Sequence, residues 1–404
     1  MKFNSFSIFS NNQIYSKRLF FAVLIPSFLV QFGVGMLLPI EPIFISNLNV
    51  GIALVGLGLS GILIGNTIFD IPSGLLIKKI GHDKTMLLSV FIVSISSIIT
   101  GFVTSFLMFF ILRIITGCAL SMWDLSRMSY ISDTVPNNQR GKTLASLGGV
   151  HRIGFFIGPI IGGLIGANLS VEFVFVIQGI LVSLILFCIL PNLNSIKYKN
   201  ILNNNKPKSI NILIKENKDI IARGSIAIMS LQMVRKAKEL LLPLWGINLG
   251  LSVDEIGYVI GASAALDMIL FLPVGYIIDK HGRKWMSIPT CFILAFGLFL
   301  IPFTGNIWSF VAVSVLIGFG NGLGSGAMMV LGSDLAPSGY SGEFLGIWKL
   351  IGDTSASSAP ILIGQIANIL TLGASSVFMG TIGIVGGLAM YLFVPETLNN
   401  DKSL

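Results

Sequence analysis

Charged residues are scarce in this sequence. Of its 404 residues, 11% are Asp, Glu, Lys or Arg, whereas 53% are hydrophobic. An average soluble domain carries roughly 25% charged residues, so this chain has less than half of the charge that a water-facing surface needs. The composition therefore excludes an ordinary cytosolic enzyme and a disordered chain, and it indicates an integral membrane protein.

Residues and motifs for covalent, metal and nucleotide chemistry are also few. The cysteines lie in apolar stretches and the histidines are far apart: Cys118, Cys188, Cys291, His82, His151 and His281. This pattern excludes a disulfide framework and lacks the spacing of a metal site. The sequence contains no GxxxxGK[ST] nucleotide-binding loop and no Gly-x-Ser-x-Gly nucleophile motif. We therefore predict that the protein is not an enzyme, has no metal or other cofactor, and does not use ATP.

Long apolar runs are what the sequence has in abundance, and twelve of them reach the length of about 20 residues that a membrane-spanning helix needs. The predicted spans lie near 19–45, 52–77, 85–103, 106–131, 143–166, 172–190, 220–248, 252–278, 285–303, 307–330, 344–369 and 376–394. The stretch after the sixth run is polar and rich in Asn and Lys. The sequence therefore predicts an all-α integral membrane protein, with an N-terminal six-helix bundle over 1–190, a cytoplasmic linker over 191–219 and a C-terminal six-helix bundle over 220–404.

Basic residues between the predicted spans all fall on one side of the membrane. Both tails, the linker and the loops of that side contain Lys and Arg, whereas the opposite loops contain neither. Because cytoplasmic loops are enriched in basic residues, we predict a multi-pass protein of the cell membrane with both termini in the cytoplasm. The net charge of +8 is then a topology signal, and no nucleic-acid partner is predicted.

The two halves of the chain repeat each other at a shift of 201 residues. Gly and Pro dominate the matches: Pro72 and Pro273, Gly74 and Gly275, Gly81 and Gly282, Gly117 and Gly318, Pro159 and Pro360, and Gly163 and Gly364. These residue types occupy positions where the backbone geometry is demanding, so a fixed register between them is informative. We infer two six-helix halves of common ancestry, the organisation expected of an alternating-access transporter.

Five stretches resemble motifs of one family. They are Gly275–Lys284, Arg113–Gly117, Gly154–Gly163, Asp133–Gly141 and Val394–Thr397. In this order, on a duplicated twelve-helix plan, they resemble the major facilitator superfamily over essentially the whole chain, and its drug:proton antiporter branch in particular. The resemblance implies two bundles that rock around a central site, a small-molecule substrate, coupling to protons and a monomer. The antiporter-like motif is carried by Gly154, Gly158, Pro159, Gly162 and Gly163.

The first signature loop departs from the family pattern, because Lys78 stands where the family has an acidic residue. The two loops and their expected neighbours comprise Gly74, Lys78, Gly81, Lys142, Gly275, Asp279, Gly282, Arg283 and Glu343. The resemblance implies that each loop packs against a helix of the other half. We predict a cytoplasmic latch of two pairs, Lys78 with Glu343 and Asp279 with Lys142. A basic loop that obeys the positive-inside rule accounts for Lys78 equally well.

Charged and polar residues also occur inside the predicted spans. A lone charge at the bilayer centre costs about 2.5–3.5 kcal/mol on insertion scales, so these residues must face protein or water. We predict a central cavity lined by Gln31, Arg113, Arg235, Glu239 and Asn321. Around it and towards the cytoplasm we place Asp124, Arg127, His151, Arg152, Asp267, Lys349 and Asp353. Together these residues form the predicted substrate and proton pathway.

Spacing predicts three pairs on single helix faces: Asp124 with Arg127, Arg235 with Glu239, and Lys349 with Asp353. The first and third pairs are equally consistent with buried ion pairs that only fix helix packing. His151 is either a group that titrates near neutral pH or a hydrogen-bonded partner of a neighbouring arginine. Asp267 is a candidate proton carrier, because burial favours the protonated carboxyl group. Glu41 is predicted to be a gate or surface residue, and Asp70 to belong to the cytoplasmic loop region.

The preferred function is therefore a secondary transporter that exports small organic or drug-like compounds in exchange for protons. Two alternatives stay open. The excess of basic over acidic residues inside the spans favours a proton symporter that takes up an anionic or zwitterionic solute. A membrane sensor that has kept the fold without transporting is the third reading, and the intact signature loop Gly275–Lys284 argues against it.

Overall fold

The computed structural model describes residues 20–135, 137–189, 218–324, 326, 331–332, 334–337, 341–394 and 396. These residues are almost entirely helical, because a helix satisfies its own backbone hydrogen bonds where no water is present to do so. Nearly all of the predicted linker over 191–219 lies outside the described residues.

Twelve helical segments in the described part of the chain follow the twelve predicted spans, and we label them α1 to α12. The first six are α1 (a π-helical turn Phe20–Leu24, then Ile25–Leu37 and Glu41–Asn47), α2 (Ile52–Ile80), α3 (His82–Thr100), α4 (Phe106–Thr134), α5 (Asn137–Asn168) and α6 (Val171–Ile189). The second six are α7 (Lys218–Asn248), α8 (Val253–His281), α9 (Lys284–Leu300 with the 3-10 turn Ile301–Phe303), α10 (Ile307–Leu323), α11 (Ser341–Ile369) and α12 (Leu372–Phe393).

The helices differ in how apolar they are. Among the described helices, α1 to α6, α9 and α12 are long and apolar enough to cross a membrane. Helix α10 is apolar but 17 residues long, ending at a Gly324 cap, and the rest of the predicted tenth span lies partly outside the described residues. Helices α7, α8 and α11 carry Glu239, Asp267 and Asp353 within them. The prediction of an all-α membrane protein is confirmed, and the most polar helices belong to the second half.

Large apolar side chains cover the periphery. Phe91 of α3, Phe187 of α6, Phe296 of α9 and Leu392 of α12 are all more than half exposed. An exposed apolar surface of this extent is unsuited to water and suited to lipid tails. These four helices therefore form the outer wall, and the charged helices lie inside it.

Two glycines with positive φ end equivalent helices of the two halves. Gly81 (φ 86°) follows α2 and Gly282 (φ 107°) follows α8, and the two positions are 201 residues apart. Each donates its N–H to a carbonyl of the last helical turn, that of Ile77 or Ile278. Only glycine adopts this left-handed conformation without strain, so both signature loops need it.

The same duplication is visible in ion pairs beside these loops. His82 Nε2 lies 3.8 Å from Asp133 Oδ2, and Arg283 Nε lies 2.7 Å from Asp334 Oδ2. Each residue of the second pair is 201 positions beyond its counterpart in the first. The loops with Lys79, Lys84, Lys142, Lys280 and Lys284 meet at this end of the molecule, which we call the basic end.

Helix pairs α2–α11 and α5–α8 join the two halves through glycines. A Cβ on Gly56 would overlap the carbonyl oxygen of Pro360, and Gly364 lies beside it. In the other pair, a Cβ on Gly257 would lie 2.5 Å from the carbonyl oxygen of Pro159, beside Gly163. Both contacts are related by the shift of 201 residues, so the two six-helix bundles meet across a pseudo-twofold axis.

Within the first half, the antiporter-like motif packs α5 against α1. Gly158 lies against Gly35, and Gly162 against the backbone of Met36. The backbone of Gln31 and Phe32 lies against Gly154. Small residues allow this close approach of helix backbones, so the motif has a direct structural role.

Candidate functional site

Three small cavities lie near the middle of the molecule, between the halves. Cavity I has a volume of about 220 Å³, cavity II about 170 Å³ and cavity III about 110 Å³. Cavities I and II share Arg152, Glu239 and Asn321, and Glu239 lines all three. The predicted central cavity is thus present as a group of adjoining spaces around one carboxylate.

Glu239 pairs with a residue other than the predicted one. Lys236 Nζ lies 2.8 Å from Glu239 Oε2, and Arg235 instead donates to the carbonyl oxygen of Gly324 at 2.6 Å. Gly324 caps the C-terminal end of α10, where carbonyl groups lack partners within the helix. The predicted pair of Arg235 and Glu239 was therefore wrong, because a free helix end binds the guanidinium while the nearer lysine reaches Glu239.

Asp267 connects the two halves. Its Oδ1 lies 3.6 Å from Arg152 Nε of α5, and its Oδ2 accepts a hydrogen bond of 2.8 Å from Asn321 Nδ2 of α10. The Arg152 guanidinium also lies 4.0 Å from the centre of the Phe271 ring of α8. Asp267 therefore belongs to cavity I and to the α5–α8 contact at the same time.

Lys238 also lines cavity I, with the apolar side chains of Leu38, Phe155, Leu242 and Ile260. It is partly buried, and its ammonium group makes no hydrogen bond or ion pair with any described residue. The sequence reasoning did not select Lys236 or Lys238. The run Arg235–Glu239 was noticed as a charged interruption, and the spacing of three between Lys236 and Glu239 could have identified that pair.

Arg113 and Glu41 form a buried ion pair between α4 and α1, and it lines cavity III. The exposed fractions of the two side chains are 2% and 12%. The guanidinium carbon also lies 5.7 Å from the centre of the Phe175 ring. The expectation of a surface or gate residue at Glu41 was wrong, because the break in α1 at 38–40 turns this carboxylate inwards.

Lys349 binds two carboxylates. It lies 2.7 Å from Asp353 Oδ2, as its spacing predicted, and 3.0 Å from Asp70 Oδ2 of the other half. Asp70 also accepts a hydrogen bond from Ser121 Oγ. Asp70 is therefore part of α2 and of the contact between the halves, which corrects its assignment to a loop region.

Arg127 is the centre of a polar cluster in the first half. It pairs with Asp124 at 2.7 Å, as predicted, and hydrogen-bonds Ser27 Oγ at 3.2 Å and His151 Nε2 at 2.8 Å. Because a guanidinium has only donors, His151 accepts this bond and is neutral in this arrangement. The geometry therefore matches the hydrogen-bonded alternative for His151, which also lines cavity I.

Two other predicted features are located differently. Gln31 lies at the α1–α5 contact, and the residues that line cavities I to III do not include it. The side chains of Asp279 and Glu343 are outside the described part of the structure, so the latch with Lys78 and Lys142 stays a prediction. Within the described residues, no three His, Cys, Asp or Glu side chains are grouped so that they could hold a metal ion.

The sequence matches the family model described as the Major Facilitator Superfamily over residues 23–233 and again over 224–403. The chain belongs to the major facilitator superfamily. It is therefore a transporter of a family whose members are not enzymes, and the predicted family and its twelve-helix fold are confirmed.

Major facilitator superfamily proteins with related sequences come from archaea and bacteria. An uncharacterized MFS-type transporter of Methanocaldococcus jannaschii is 25% identical over 376 residues, 92% of this chain and 97% of that protein. Multidrug resistance protein 2 of Bacillus subtilis is 25% identical over 313 residues, 76% of this chain and 75% of that protein. A quinolone resistance protein of Staphylococcus aureus is 24% identical over 136 residues, 34% of this chain and 35% of that protein.

Solved structures of the superfamily share the fold. The inward-open xylose transporter of E. coli matches 96% of this chain and 98% of that chain with a TM-score of 0.73 and 17% identity. A D-xylose-proton symporter matches 96% of this chain and 99% of that chain with a TM-score of 0.72 and the same identity. At this identity the likeness concerns the architecture alone.

Proposed function

We propose that the protein is a proton-coupled antiporter that exports small organic compounds across the plasma membrane. It works as a monomer with both termini in the cytoplasm, so the basic end faces the cytoplasm, in keeping with the positive-inside rule. The two bundles rock about the glycine contacts of α2–α11 and α5–α8, and the substrate binds in cavities I to III between them.

The observation that carries this proposal is the position of Glu239. Its carboxylate lines all three central cavities, and its ion pair is with Lys236 of its own helix. Protonation at Oε2 would remove the negative charge and release Lys236 into the cavity. Substrate and proton would therefore act on the same carboxylate, which is the requirement for exchange.

Asp267 gives the proton a second role, in conformational change. Its contact with Arg152 crosses from one half to the other. Protonation would weaken this contact, because the neutral carboxyl group no longer attracts the guanidinium. We therefore assign the exchange of proton for substrate to Glu239 and the coupling to bundle movement to Asp267.

The names of two relatives support export of organic compounds. One is called a multidrug resistance protein and another a quinolone resistance protein. The antiporter-like motif Gly154–Gly163 of α5 favours the same direction. Because the shared identity is near 25%, these names indicate a class of substrate and not a compound.

The test is gradient-driven uptake by the purified protein in lipid vesicles. A panel of radiolabelled organic cations, neutral compounds and carboxylates is offered outside vesicles that are acidic inside. An antiporter moves protons out and substrate in, so at least one compound should accumulate and should be lost on addition of a protonophore. Glu239→Gln and Asp267→Asn should abolish accumulation, and the exposed Lys84→Gln should not. Full accumulation in both carboxylate variants would exclude them as proton carriers.

Proton symport of an anionic or zwitterionic solute is the second candidate. The observation that favours it is the excess of basic side chains around cavities I and II, with Arg152, Arg235, Lys236 and Lys238 against Glu239 and Asp267. A symporter would accumulate substrate when the vesicle exterior is acidic and lose it when the interior is acidic. The sign of the gradient therefore separates the two functions, and no flux with either sign would favour a sensor.

A further inference from the structure

The charges around cavities I and II leave one cation uncompensated. Lys236 is paired with Glu239, and Arg152 is paired with Asp267. Arg235 donates to the carbonyl group of Gly324 at the C-terminal end of α10, where the helix dipole is negative. Of the four basic residues that line these cavities, Lys238 has no such partner among the described residues.

Lys238 is placed to bind a ligand. It lies on α7 ten residues before the end of the helix, and it lines cavity I, the largest of the three central cavities. Ionisable groups within the membrane are normally paired, and an unpaired one marks a site of ligand or ion binding by default. The missing counter-charge of Lys238 is therefore expected to come with the substrate.

We infer that Lys238 binds a carboxylate group of the substrate, and that the substrate is a small organic acid with one anionic group and an apolar body. The apolar body would contact Leu38, Phe155, Leu242 and Ile260, the remaining wall of cavity I. This inference rests on the proposed function, because it assumes that cavity I lies on the transport path.

A carboxylate fits the site better than a phosphate does. Phosphate carries up to two negative charges and is held most specifically by the planar, forked guanidinium of arginine. Here both cavity arginines are engaged, Arg235 by Gly324 and Arg152 by Asp267. A single lysine ammonium is a point charge that balances one carboxylate.

The test is binding of matched probes to the purified full-length protein. The probes are phenyl-substituted and straight-chain carboxylates of increasing length, each with the amide and the primary amine of the same carbon skeleton. Binding is followed as the rise of the unfolding temperature with probe concentration. We expect carboxylates to stabilise the wild-type protein more than their amides or amines do. Lys238→Gln should weaken that binding at least about tenfold, as loss of one partner of a buried charge pair does, and Lys84→Gln should leave it unchanged.

Two results would overturn the inference: no carboxylate that binds more tightly than its amide, or an unchanged carboxylate affinity in Lys238→Gln. The ligand-free protein provides a second measurement that needs no probe. An unpaired ammonium destabilises the empty site, so Lys238→Met should unfold at a higher temperature than the wild type. A lower unfolding temperature would mean that Lys238 stabilises the fold and would contradict a role in substrate binding.

Equilibrium binding requires no gradient, which separates this inference from the proposed function. Carboxylate binding that depends on Lys238, without accumulation in vesicles that are acidic inside, would support the substrate class and exclude antiport. Accumulation of an organic cation, unaffected by Lys238→Gln, would support antiport and exclude the substrate class.

Discussion

Lys349 Nζ of α11 lies 3.0 Å from Asp70 Oδ2 of α2, and this ion pair joins the two halves of the transporter. The second ion pair between halves joins Arg152 of α5 and Asp267 of α8 at 3.6 Å. In both, the cation is on α5 or its equivalent α11, and the acid is on α8 or its equivalent α2. The pairs are not at equivalent positions, however. At the shift of 201 residues each member of the Lys349 pair lies four residues, about one helical turn, nearer the basic end.

Neutralising the Lys349 pair should favour opening of the basic end. Asp70→Asn and Lys349→Met each remove one contact between α2 and α11. Because the Lys349 side chain is 52% exposed, the expected effect is at most about 1 kcal/mol, or roughly a fivefold change in the ratio of open to closed forms. Spin labels at Lys79 and Gly346, in a background without the native cysteines, would report the distance between the helices.

The matched control for this prediction is the charge swap. Asp70→Lys combined with Lys349→Asp restores opposite charges and should return the distance distribution towards that of the wild type. If the double variant resembles the single variants, the ion pair does not hold the basic end closed. The nearby Asp353 remains in all variants and accounts for any residual attraction to Lys349.

The features that the sequence predicted are those that depend on position along one helix. Apolar length gave the spans, the shift of 201 residues gave the two halves, and spacings of three or four gave the pairs of Arg127 and Lys349 with their neighbours. Contacts between distant helices depend on how each helix is rotated, which local spacing does not determine. Glu41 with Arg113, Asp70 with Lys349 and Arg235 with Gly324 are of this kind.

Substitution of the glycines between the halves should separate the bundles. A Cβ on Gly56 would overlap the Pro360 carbonyl oxygen, and on Gly257 it would reach the Pro159 carbonyl oxygen. Both obstacles are backbone atoms, so a whole helix must shift, and overpacking of this kind costs about 1–3 kcal/mol. Gly56→Ala and Gly257→Ala should lower the unfolding temperature of the purified protein and slow transport in vesicles.

Gly149 of α5 is the matched control, because a Cβ there would meet no atom within 4 Å. Gly149→Ala should keep or raise the unfolding temperature, since alanine is favoured over glycine within a helix by about 1 kcal/mol. Equal effects of alanine at positions 56 and 149 would show that helix propensity, and not the approach of the two halves, governs the result.

The buried pair of Glu41 and Arg113 should be essential for stability. Glu41→Gln leaves the Arg113 guanidinium buried without its counter-charge, and breaking a buried pair in this way costs about 3–5 kcal/mol. The expected result is a large fall in the unfolding temperature and in the yield of folded protein. Replacement of both residues, as in Glu41→Leu with Arg113→Leu, should recover most of that stability. A double variant as unstable as Glu41→Gln would mean that the pair itself contributes net stabilisation.

Glu396 links the C-terminal tail to the second signature loop, so the stability of the loop should depend on its carboxylate. Its two oxygens accept hydrogen bonds from the backbone N–H groups of Arg283 (2.9 Å) and Lys284 (3.0 Å), at the start of α9. A carboxylate at a helix N-terminus satisfies free donors and interacts favourably with the helix dipole. Glu396→Ala should therefore lower the free energy of unfolding by about 1–2 kcal/mol, an effect typical of a lost cap. Glu396→Gln should lose less than Glu396→Ala, because the amide oxygen still accepts one of the two bonds. Equal losses in the two variants, measured by thermal unfolding, would show that the cap does not stabilise the loop.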